Sequence, residues 1–180
     1  MKKIIITIAF ALIAISTFAQ TAPLLRPRME IAEVSSESTG TDIEVFYMHD
    51  ESPRVYYLSL GRLGIGSDIV QVEFDPFYEL FIPLGSNLDE AIDKMETIND
   101  FYDLPNLGQT EVLGSFAVAY PTDKPVLVTV TCRRLLFSRL LEFSLPTDTE
   151  GLVRATHIHR SNFRSLLGAL KFYRKLHPDE

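Results

Sequence analysis

The sequence predicts an α+β domain in which antiparallel strands form the sheet and two amphipathic helices pack on one face of it. Three observations carry that prediction. Short segments with an apolar/polar period of two recur along the chain, among them IEVFYM, RVYYLSL, VLVTVTC and LVRATHIH. Two segments instead repeat at the helical period, SNLDEAIDKMETINDFYD and SNFRSLLGALKFYRKLHP. The order is several strands, a helix, several strands, a helix, which favours an antiparallel meander over alternating βαβ units. The same order reads as two successive β-meander–helix units, although no residue-level repeat accompanies it.

The first 19 residues, MKKIIITIAFALIAISTFA, read as a signal peptide. Lys2 and Lys3 supply the charged start. Ile4 to Ile15 is apolar but shorter than the ~20 residues a bilayer-spanning helix needs. Thr17 and Ala19 offer small residues to a peptidase, leaving Gln20 first. The expectation is an exported chain, periplasmic or extracellular, with no transmembrane segment once the leader is removed. The one cysteine, Cys132, lies far from the cut, so no lipid anchor through Cys is expected. Residues 20–41 carry Pro23, Pro27 and a Ser/Thr/Glu/Gly cluster and are read as a flexible tether. Residues 42–177 follow as a single domain, of a size that supports a real core.

Within it, Ile43 to Met48 is a strand, HDESP a turn and Arg54 to Leu60 a strand. GRLGIGSD, with its three glycines, does not have the spacing of a phosphate-cradling loop and is read as a connection between antiparallel strands. IVQVEF and FYELFI are read as two strands separated at Asp75-Pro76. The first helix has Ser86 or Asn87 as cap, with Asn87 and Glu90 spaced as a capping box. Leu88, Ala91, Ile92, Met95, Ile98 and Phe101 or Tyr102 form its buried stripe. TEVLGSFAVAYP and KPVLVTVTC are strands. RRLLFSRLLEFSL fits either period and is assigned as strand, because TDTEG after it reads as a hairpin turn into LVRATHIH. The second helix takes Ser161 as cap and Phe163, Leu166, Leu167, Leu170 and Tyr173 as stripe. Lys171, Arg174 and Lys175 suit its negative C-terminal end.

The formal net charge is −7 at pH 7, and it is unevenly distributed. From Glu30 to Asp103 there are 17 acidic residues against Arg54, Arg62 and Lys94; from Lys124 to His177 there are 10 basic residues against three acids. An acidic total argues against nucleic acid as a partner. The two poles fit ion pairing between the helices, and they also offer a route to self-association or to an anionic surface.

Chemistry has few candidates. Strand neighbours two apart share a face, so His157 and His159 can both reach one Zn²⁺. A third ligand is not evident, since His49 sits in a turn and His177 beyond the second helix. Cys132 shares a strand face with Val126, Val128 and Val130 and reads as a buried, inert thiol. The carboxylates of the first helix read as a solvated face rather than an acid–base pair. No catalytic, cofactor-binding or metal site is assigned, and no cofactor. The expectation is a non-catalytic domain that binds a protein or other envelope component. The alternatives are a metal-dependent hydrolase using His157 and His159, and a secreted enzyme inhibitor presenting GRLGIGSD as a rigid loop.

Overall fold

Ten of these segments and one that was not foreseen build the fold. In the computed structural model the described residues are 27–35, 42–67, 70–104, 110–119, 124–135, 138–146 and 152–179. The leader reading and the TDTEG turn lie outside them. Four strands come first: β1 (Arg28–Ser35), β2 (Asp42–Met48), β3 (Tyr56–Ser67) and β4 (Val70–Gly85). Helix α1 (Leu88–Asp100) follows and tightens into a 3-10 turn (Phe101–Asp103). Four more strands, β5 (Thr110–Ala119), β6 (Lys124–Leu135), β7 (Ser138–Pro146) and β8 (Val153–His159), lead into α2 (Arg160–Leu176). Four strands and a helix thus occur twice.

Consecutive strands pair antiparallel throughout, in the order β1 to β8. The start of β8 also pairs with β3, setting Gly64 opposite Ala155 and Gly66 opposite Val153. Strands β3 to β8 therefore close into a ring, while β1 and β2 extend the sheet along the first half of β3, where Tyr47 faces Tyr56. Closure removes the edges that β3 and β8 would otherwise expose along that stretch.

Both helices turn their apolar stripes onto one face of this sheet. Leu88, Ala91, Met95 and Ile98 of α1 and Phe163, Leu166, Leu167 and Leu170 of α2 share one buried cluster with alternate residues of the strands, such as Val45, Leu58, Ile82, Val130 and Phe143. Tyr102 and Phe163 join the helices inside it, with ring centroids 5.8 Å apart. Ile92, Phe101 and Tyr173, also expected in the stripes, flank the cluster and are partly buried. The reverse face of β2–β4 carries a smaller cluster of Phe46, Met48 and Phe81. The Arg28 guanidinium lies over it, 4.8 Å from the Phe46 centroid and 5.2 Å from that of Phe81, and is anchored by Glu44 at 3.2 Å.

Several local expectations are corrected. Residues 28–35 are not tether but strand β1. Its alternation is hidden by a bulge between Glu30 and Ala32, and Ile31, Ala32 and Val34 pack against the main core. The glycines of GRLGIG do not connect strands; they lie inside β3. A bulge there, between the pairs Ser59–Phe81 and Arg62–Glu79, adds one residue to β3. Gly61 takes it up at φ 64, and its N–H donates to the Ser59 hydroxyl at 3.1 Å. The extra residue switches side-chain parity, so Leu60 and Leu63 both enter the main core. Similarly, IVQVEF and FYELFI are one strand, β4. Two steps along β3, from Arg62 to Gly64, match five along β4, from Glu79 to Phe74. Asp75-Pro76 falls in that irregularity, where a residue without an N–H costs no ladder bond.

The ambiguous RRLLFSRLLEFSL is strand, as assigned. It is two strands rather than one, because the β6–β7 register closes at Leu135–Ser138. Ser161 is not the cap of α2; His159 occupies that position with no side-chain cap bond. The cap of α1 is Asn87, whose side chain accepts from the Glu90 N–H at 2.9 Å. Glu90 reaches back one residue further than a standard box and accepts from the Ser86 N–H at 2.7 Å.

Candidate functional site

A buried carboxylate with two side-chain partners, Glu142, lies among β6, β7 and β8, on the side of the sheet facing away from the helices. Alternation puts Leu141 and Phe143 in the core, so Glu142 between them must point the other way. Register sets Thr131 of β6 and His157 of β8 on either side of Glu142. Its two carboxylate oxygens have separate partners. Oε1 accepts from Arg133 Nη2 at 2.7 Å, and Oε2 lies 2.8 Å from His157 Nε2. Glu142 is only 6% exposed. Burial alone would raise its pKa, but the hydrogen bonds and charges of His157 and Arg133 outweigh burial and hold the carboxyl below its usual range.

His157 and His159 do share a side of β8, and both are half-buried. They are nonetheless committed to different neighbours on β7. His157 meets Glu142, whereas His159 Nδ1 lies 3.3 Å from the Ser138 hydroxyl. Among the described residues no three His, Cys, Asp or Glu side chains group as a metal site would require. His49 sits in the turn after β2, and His177 ends α2 with its ring stacked on Tyr173 at 4.1 Å. Cys132 is fully buried beside Val128 and Val130, where burial pushes its thiol pKa up and keeps it protonated.

The charged poles meet each other. The two helices run antiparallel, so acids in ascending order on α1 face bases in descending order on α2. Asp89 takes Arg174 through two bonds, from Nε at 2.8 Å and Nη2 at 3.1 Å. Glu96 takes Lys171, and Asp103 takes Arg160, each at 2.5 Å. Hydrogen bonds from Arg174 and Arg160 are the main reason the Asp89 and Asp103 carboxyls lie below their usual range. The arrangement also reconciles each helix with its own dipole. Asp103 stands at the negative end of α1 and Arg160 at the positive end of α2, positions unfavourable singly and complementary as a pair.

One contributor escaped the sequence reading. Arg139 of β7 donates through Nη1 to the carbonyls of Tyr102 at 2.6 Å and Leu104 at 3.3 Å. It supplies the cation that the last turn of α1 lacks. The signal was present as a helix ending in Asp100 and Asp103 with nothing basic near it; its solution lay 36 residues away. Tyr102 itself donates its hydroxyl to the Ile158 carbonyl at 2.8 Å, joining this turn to the backbone between the two histidines.

GRLGIG, taken up in β3 and paired to both β4 and β8, is not an exposed loop. No protein-family model, curated protein or solved structure matches the chain.

Proposed function

We propose that this chain is an exported, non-catalytic domain that binds another macromolecule or forms part of an envelope assembly. The observation that carries the reading is the commitment of Glu142. A carboxylate with one oxygen on a guanidinium and the other on an imidazole is a weak general base and a poor metal ligand. Its histidine is likewise occupied on the ring nitrogen facing it. Cys132, inside the core, offers no nucleophile. The charged faces of the helices pair with one another, which suits a scaffold more than a steered encounter with a charged substrate. No helix among the described residues is long and apolar enough to cross a membrane.

The test follows the chain in the cell that makes it. Fractionation with intact-mass measurement is expected to give a product starting at Gln20 outside the cytoplasm. In-cell photo-crosslinking should then join it to a defined envelope component, and Glu142→Gln should leave that crosslink intact. A chain retained in the cytoplasm with its leader defeats the export reading. A hydrolytic activity that is stimulated by zinc and lost in both His157→Ala and His159→Ala defeats the non-catalytic one.

A further inference from the structure

The outward face of α2 has a property its own fold does not explain. Ser161, Ser165, Gly168, Phe172 and Leu176 follow one another at helical spacing along a single line, and all five are exposed. Phe172 and Leu176 are 62% and 61% exposed, the most exposed large apolar side chains among the described residues. Gly168 is the odd member. It weakens the middle of a helix, yet a Cβ placed there would meet nothing within 4 Å. The intrachain packing therefore does not call for a glycine. A surface that approaches from outside the chain would.

We infer that this face is a two-fold interface with a second copy of the chain, two α2 helices crossing antiparallel at Gly168. The order of side-chain sizes along the line is self-complementary only in that arrangement. With the axis midway between Gly168 and Ala169, Phe172 lies 3.5 residues to one side and Ser165 3.5 to the other. Leu176 and Ser161 each lie 7.5 residues out. Each copy thus sets Phe172 over Ser165 and Leu176 over Ser161 of the other, large on small at both ends, with the backbones closest at the glycine. Burial does not orphan the Ser165 hydroxyl, because it already donates to the Ser161 carbonyl at 3.1 Å. Arg164 and Lys175, the bases beside the seam, are exposed and can keep their charges in solvent at its rim, where salt screens any repulsion between the copies. A membrane surface would use the same apolar pair, but it would not need the small residues.

A single helix pair falls below the ~1,200 Å² of total buried surface typical of stable complexes, so the dimer should dissociate on dilution. It stands independently of the proposed function, since a catalytic or a binding domain could dimerise this way. Sedimentation velocity on the full chain, purified as the cell processes it, tests the inference. The expected result is a monomer–dimer equilibrium that high salt does not weaken. Phe172→Glu should weaken it by at least about tenfold while circular dichroism stays native. Gly168→Cys should form an intermolecular disulfide readily and Ser161→Cys should not, because the two Ser161 positions lie ~22 Å apart across the axis. A monomer at every concentration overturns the inference. So does a dimer that high salt dissociates, one indifferent to Phe172→Glu, or equal crosslinking by the two cysteines. Binding of the monomer to anionic phospholipid vesicles, lost in Phe172→Glu, would reassign the face to a membrane.

Discussion

At the scale of single residues, Glu142 shows how a buried charge is tolerated. A carboxylate 6% exposed on a sheet face stays ionised only because Arg133 and His157 each hold one oxygen. Its folded pKa lies below the unfolded value of about 4.5. The stability that this depression contributes is therefore present above pH 4.5 and is lost as the pH falls through the lower folded value. Glu142→Gln should cost about 1–3 kcal/mol near neutrality. The gap between variant and wild type should narrow below pH 4.5, as read from urea melts across the acid range. A gap independent of pH would mean that packing, not charge, is what Glu142 contributes. Gly61 makes a different residue-scale point. At φ 64 it occupies a region that alanine enters only with strain. Gly61→Ala should destabilise the fold by about 1–2 kcal/mol, measured by the same melts.

At the scale of elements, stripes were legible because they depend on neighbours within one or two turns, whereas of the two caps only that of α1 was read and Ser161 was taken for His159 at α2. Leu88, Ala91, Met95 and Ile98 were all read from spacing, and the capping-box spacing to Glu90 left Ser86 or Asn87 as cap, of which the structure selects Asn87. The end of α1 was not legible, because its capping cation comes from β7. Arg139→Ala removes a charged donor from two carbonyls and should cost about 1.5–3 kcal/mol, with loss of amide-exchange protection concentrated in residues 98–104. Uniform loss of protection would mean that Arg139 supports the strand rather than the helix end. The misread strands have the same origin. Alternation fails wherever a bulge inserts a residue, and β1, β3 and β4 each carry one or more.

At the scale of the whole molecule, the unforeseen β1 matters most. It contributes Ile31, Ala32 and Val34 to the core, packs against α2, and brings Arg28 over the Phe46–Phe81 cluster. A chain starting at Asp42 should therefore be destabilised globally, by at least about 2 kcal/mol on the apolar area uncovered. Its chemical denaturation midpoint should fall for every probe together. Unchanged stability would restore the tether reading. The α+β class and the helices on one face were both readable, since each amphipathic helix needs a sheet to cover it. The candidate site was readable only in part: His157 and His159 were found on one side of their strand, but Glu142 between His157 and Arg133 was not.

What the sequence determined by itself is everything local: two helices with their buried stripes, the existence of most strands, the burial of Cys132 and the opposite charge of the two halves. Tertiary structure alone decided the pairing of β8 with β3, the partners of the histidines, and the mutual neutralisation of the charged helices. The physical reason is range. Periodicity and capping act over a few residues of chain, whereas register and ion pairing depend on which distant segments the fold brings within a few ångströms of each other.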